Sequence, residues 1–164
     1  PPAYWATGSW VEKVKWVQAD LLQKYACDDG ALKCKDNDAS LNDPISPVLG
    51  KIDSAVSLVG NVRPNPEWVS SSFFGLKFDD DRLLLENGAT NERACLLSKA
   101  AGSERFVFVS VSYETAKALE GPIPGYLGGK RAAEHAAATA FGNNRTIVVG
   151  PSLVYGGKRF FAVG

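Results

Sequence analysis

Methionine is absent from all 164 residues, so Pro1 is not a translation start and residues preceding it are expected. An excess of one charge is also lacking. Eighteen basic and eighteen acidic residues cancel, which leaves no field to steer the chain onto nucleic acid or anionic lipid. Long apolar runs are missing as well. The longest, such as Phe106 to Val111, suit a buried strand and fall far short of the ~20 residues a membrane helix needs. The N-terminus has no signal-peptide pattern. Cysteine is sparse: Cys27, Cys34 and Cys95 form no CxxC pair and no zinc spacing. Their odd number favours free thiols in a reducing compartment, with a Cys27–Cys34 bridge as the alternative. His135 is the one histidine, set in an alanine-rich segment without a nucleophile context, and it reads as a surface or half-buried residue.

What remains is an ordinary globular balance, 45% hydrophobic and 22% charged, enough for one domain. Lys13 to Ala19 alternates apolar and polar residues before Asp20 and predicts a short strand. The polar stretch 28–47 predicts a loop, with one helical turn near Pro47 to Lys51. Ile52 to Gly60 predicts a second strand, and 61–78 a long loop holding Trp68, Phe73 and Phe74. Asp79, Asp80 and Asp81 suit a helix cap better than a metal site, and the helix should run to Ala101 before Gly102. Arg105 to Val111 is the strongest strand and reads as central. Tyr126 to Phe141 predicts a second long helix, and Arg145 to Val149 a further buried strand. The helix's many alanines indicate close packing on the sheet or on another subunit. Strands alternating with long helices imply an α/β fold with a parallel, doubly wound sheet.

One spacing carries chemistry. Tyr126 and Lys130 stand at i and i+4, one helical turn apart on the same face. An ammonium beside a phenol favours the phenolate and lowers its pKa, which makes tyrosine a usable acid or base for a hydroxyl proton in hydride transfer. Ser112, and after it Ser110, stand at the end of the preceding strand and could anchor the substrate oxygen. Tyr113 and Lys117 repeat the spacing, but from a strand end into a loop, and read as chance. The clusters Gly125–Lys130 and Gly156–Lys158 have neither the GxxxxGK[ST] nor the GxGxxG arrangement, so they read as turns and close packing.

Taken in order, these blocks resemble the short-chain dehydrogenase/reductases, in their extended or atypical, epimerase/dehydratase-like branch. The resemblance runs through Val17–Asp20, Val56–Gly60, Glu86–Asn91, Arg105–Ser112, Gly125–Glu134 and Gly150–Gly156. It implies a Rossmann-like sheet and NAD or NADP as cofactor, with Tyr126 as acid/base, Lys130 on the ribose, and Ser112 or Ser110 on the substrate oxygen. It also implies that Asp20 lies beside the adenine and that Val59, Gly60, Pro151, Ser152 and Val154 line the cofactor. Two departures stand out. Gly150 replaces the family's arginine before Pro151, and the first two strands with their glycine-rich phosphate turn have no counterpart here. Residues outside this chain, or another chain, are therefore expected to complete the sheet. Two functions stay open: an oxidoreductase or epimerase-like enzyme acting on a small molecule, and a nucleotide-binding accessory subunit of an organellar membrane complex in a mitochondrion or chloroplast. An RNA-associated module is disfavoured by the neutral charge.

Overall fold

The computed structural model describes residues 49–62 and 78–152, with Lys13, Val14, Gln18, residues 20–22 and the backbone of 25–28 and 31–34. Its strands and helices are β1 (Tyr25–Asp28), β2 (Ala31–Cys34), β3 (Ser54–Ser57), α1 (Asp80–Leu84), a π-helical segment (Leu85–Ala89), α2 (Thr90–Ala100), β4 (Arg105–Val109), α3 (Tyr113–Leu119), α4 (Pro124–Phe141) and β5 (Thr146–Val149).

Strands β3, β4 and β5 form a parallel sheet in that order. The α/β class read from the sequence therefore holds. Local chemistry fixes the helix ends. The Asp79 carboxylate accepts the Arg82 backbone N–H at 3.0 Å and caps α1, with Asp80 and Asp81 in the first turn. Gly102 takes φ 88°, a left-handed stop after α2. Pro124 opens α4 and Gly142 at φ 75° ends it.

Both crossovers lay their helices on one face of the sheet. Phe106 and Phe108 point into a core made with Cys95 of α2 and Ala133, Ala137 and Phe141 of α4. The Phe106 and Phe141 rings stack with centroids 5.5 Å apart. A second cluster joins Leu83, Ile123, Tyr126 and Leu127. The opposite face carries a row across the three strands, because Val56 pairs with Val107 and Val107 with Ile147. Val56 is 62% exposed and Ile147 55%.

Several expectations change. Among the described residues the sheet is covered on one face only, so the doubly wound form is not seen there. β5 is an exposed edge rather than a buried strand, since no further strand pairs with it among those residues. The expected loop at 28–47 contains β2, which pairs antiparallel with β1. In that register Leu32, not Cys34, stands across from Cys27.

Of the strand expected at 13–19, the described Lys13, Val14 and Gln18 are not in a strand, and Asp20 leads into a turn in which its carboxylate accepts the Leu22 N–H. Tyr113 to Leu119 is a helix rather than a loop, and Tyr113 is 76% exposed there. Its spacing to Lys117 thus stays apart from the buried pair Tyr126 and Lys130. The aromatic loop at 63–77, Val154 and the glycines of 156–157 lie outside the described residues.

Candidate functional site

The carboxyl ends of β3, β4 and β5 open into a cleft of about 550 Å³. In open parallel sheets this edge is where ligands bind, because the strand ends and helix starts leave a crevice there. Leu58 and Gly60 enter it from β3, Ser110 from β4, Pro151 and Ser152 from β5, and Tyr126 and Lys130 from α4. Six of the residues picked from the sequence therefore meet in one place.

Lys130 is 4% exposed and reaches between two strands. Its ammonium donates to the Val59 carbonyl at 3.0 Å and to the Val109 carbonyl at 3.0 Å. It also lies 4.9 Å from the Phe108 ring centre and 5.7 Å from that of Tyr126. Burial pulls its pKa down to about 8, against a smaller upward push from Glu134.

Tyr126 is 9% exposed, and its hydroxyl has no hydrogen-bond partner among the described residues. Burial raises its pKa. This is a correction to the expectation that Lys130 would lower it. The ammonium is engaged by two backbone carbonyls, and desolvation of the phenolate dominates.

The two serines part company. Ser110 is buried in the cleft beside Tyr126 and Lys130, and its hydroxyl donates to the Glu134 carboxylate. Ser112 caps α3 by accepting the Thr115 N–H at 3.2 Å. It also donates to the Thr115 hydroxyl at 2.9 Å and accepts from Ser152 at 3.1 Å. Ser112 lines an adjoining cleft of about 520 Å³, as do Ser110, Lys130, Arg131 and Glu134. The serine placed first by sequence is thus occupied with a cap, and the second one lines both clefts.

Asp20 is not among the described residues that line the cleft. Its backbone carbonyl accepts the Arg93 guanidinium at 3.0 Å, which ties that turn to α2. The first turn of α4 is not a phosphate cradle, because the Gly125 N–H already donates to the Asp80 carboxylate at 2.9 Å. Among the described residues no cluster of His, Cys, Asp or Glu could hold a metal, and no helix is long and apolar enough to cross a membrane.

Sequence reading passed over the role of two buried asparagines. Asn87 accepts the Asn61 N–H at 2.9 Å and donates to the Asn61 carbonyl at 2.8 Å. Asn91 accepts from the Ser57 hydroxyl and donates to the Val59 carbonyl at 3.2 Å. Their signal was their position: two asparagines four apart inside a helix, where that side chain is disfavoured unless something engages it.

No protein-family model matches the chain, and neither does any curated protein or solved structure.

Proposed function

We propose that this chain is an NAD(P)-binding protein of the short-chain dehydrogenase/reductase type on a Rossmann-like sheet, acting on a hydroxyl or carbonyl of a small substrate. One observation carries the reading. Tyr126, Lys130 and Ser110, each at least nine-tenths buried, converge on a single cleft at the carboxyl ends of parallel strands. Among the described residues the Tyr126 hydroxyl has no hydrogen-bond partner, and a ligand in the cleft would supply one.

The residues fit a dinucleotide on chemical grounds. Gly60 has no side chain to fill the space beside the Lys130 ammonium, and Pro151 and Ser152 wall the other side of the cleft. NAD and NADP are equally compatible with these groups. A bound nicotinamide supplies or accepts the hydride. Lys130 would hold a ribose oxygen with the proton left over from Val59 and Val109. Tyr126 would exchange a proton with the substrate oxygen. Ser110 would steady that oxygen, its own proton held by Glu134. Asp20 beside the adenine and Val154 beside the nicotinamide belong to this reading through the resemblance alone.

A second reading is a nucleotide-binding accessory subunit without turnover, such as one in an organellar membrane complex. The upward shift of Tyr126 favours it, because a phenol held protonated by burial is a poor base. Fluorescence titration of the whole chain with NADH and NADPH tests the shared claim, and saturable binding is expected. Turnover assays with Tyr126→Phe separate the two readings. The enzyme reading requires a loss of about 10²–10⁴-fold in turnover with binding kept. Full turnover by that variant would remove the acid/base role. Binding by the wild type without turnover on any hydroxyl or carbonyl substrate would select the accessory subunit.

A further inference from the structure

The ammonium of Lys130 has three protons and, among the described residues, two acceptors, the carbonyls of Val59 and Val109. The Val59 carbonyl is shared. Asn91 donates to it from the helix side at 3.2 Å while Lys130 donates to it at 3.0 Å. Asn91 is itself fixed on every side. Its oxygen accepts from Ser57, and its amide also donates to the Asn87 carbonyl at 2.7 Å. One helical turn earlier, Asn87 grips both backbone groups of Asn61, much as a neighbouring strand would. The turn after β3 is therefore held in place by side chains of the π-helical segment and α2.

Gly60 lies inside that turn. Its φ is not in the left-handed region, so backbone conformation does not demand a glycine here. Space does. A Cβ at this position would stand 3.1 Å from the Lys130 nitrogen and 3.5 Å from the Asn87 side-chain oxygen. The nitrogen has little freedom to retreat, because two carbonyls hold it. Gly60 and Lys130 both line the cleft, so a methyl there would crowd the ammonium within it.

We propose that Asn91 is a positioning residue for Lys130, acting through the Val59 carbonyl, and that the bare Cα of Gly60 keeps the remaining ammonium proton open to an acceptor oxygen of the ligand. The inference rests on the cleft being a ligand site, and it adds two residues that set the reach and access of the lysine. Glu134 and the rings of Phe108 and Tyr126 are the other groups facing the ammonium.

The test reads the amine itself. The whole chain is treated with cyanate, which carbamylates uncharged amines, over a range of pH, and the modification of Lys130 is followed by peptide mass mapping against the exposed Lys51. In the wild type the midpoint for Lys130 is expected at about 8. Gly60→Ala is expected to slow Lys130 relative to Lys51 by about fivefold or more, with an unchanged circular dichroism spectrum. Asn91→Leu removes the donor to Val59 without adding a charge; with the Val59 carbonyl no longer held for the ammonium, the Lys130 midpoint should fall by about half a unit or more. A purely structural asparagine would alter stability and leave that midpoint alone. If Asn91→Leu does not fold, Gly60→Ala decides. Either variant, folded and indistinguishable from wild type in this readout, overturns the proposal. Failure of NADH and NADPH to bind the wild type would instead overturn the cofactor reading, and it would leave the cyanate result standing.

Discussion

The two faces of the parallel sheet are built from similar residues and have different fates. On the covered face Phe106 and Phe108 are 1% and 0% exposed, closed over by α2 and α4. On the open face Val56 and Ile147 stand largely in solvent although their side chains are just as β-prone. The difference teaches that strand chemistry sets that a residue joins the sheet, while the path of the crossover sets whether it becomes core. Both crossovers here return on the same side, so burial and the polar cleft residues gather there. The largest expected contrast follows. Phe108→Ala should lower stability by about 3–5 kcal/mol in urea unfolding, since it deletes a fully enclosed ring. A loss of less than about 1 kcal/mol would mean that the covered face is loosely packed in solution.

The covered face also buries Cys95 and Lys130, and their linkage to pH has opposite signs. Burial pushes the Cys95 thiol up to about 11 from an ordinary 9. Between those values the unfolded chain has already lost the proton that the native state keeps, so stability falls as pH rises through the window. Lys130 is held at about 8 against an ordinary 10.5. There the unfolded chain binds the extra proton, and stability rises from pH 8 to pH 10.5. Each effect is worth roughly 3 kcal/mol across its window, so in the wild type they largely offset. Tyr126, raised by burial, adds to the fall at high pH. Cys95→Ala should therefore gain stability relative to wild type as pH climbs from 9 to 11. Lys130→Met should lose stability relative to wild type between pH 8 and pH 10.5. Denaturant titrations at stepped pH check both signs, and parallel curves for all three proteins would refute the burial assigned to the two groups.

Two adjacent glycines sharpen the comparison within the covered face. A Cβ on Gly129 would lie 2.8 Å from the Gly88 nitrogen and 2.9 Å from the Asn87 Cβ, because α4 crosses the π-helical segment backbone to backbone. Among the described residues, a Cβ on Gly128 would meet the Leu84 Cδ1 methyl alone, at 3.4 Å. Gly129→Ala should cost about 1–3 kcal/mol through overpacking. Gly128→Ala should be neutral or gain up to about 1 kcal/mol from helix propensity. Thermal melts of the pair would show this, and equal effects would argue against the close crossing.

Much of this arrangement was legible in the residues. The aspartates before Arg82, the stop at Gly102, and the apolar run from Arg105 marked the ends and centre of the sheet unit. The i, i+4 rule also put Tyr126 and Lys130 on one face. Other features were hidden for physical reasons. The β1–β2 pair is joined by Asp29 and Gly30, a strong two-residue hairpin signal that the polar composition around it obscured. The exchange of Ser112 for Ser110 in the cleft depended on where α3 begins, because a helix starting at Tyr113 takes Ser112 as its cap. The direction of the Tyr126 shift was out of reach, since spacing places the ammonium near the phenol but does not reveal the two carbonyls that engage it.

The smallest expected effect tests the open face. Val56, Val107 and Ile147 align across the sheet, and the outer two are more than half exposed. Threonine keeps the β-branched shape at either outer position and adds a hydroxyl that solvent can satisfy. Val56→Thr and Ile147→Thr should each change stability by about 0.5 kcal/mol or less. The row separates them by the width of β4, so the double variant should show the sum of the two. The same two substitutions in a covered sheet would bury a hydroxyl without a partner, at about 1–3 kcal/mol apiece. Urea midpoints of the two single variants and the double variant thus report directly on solvent at this face. A summed loss above about 2 kcal/mol would show that the face is covered in solution, and would make the difference between the two sides of the sheet one of degree.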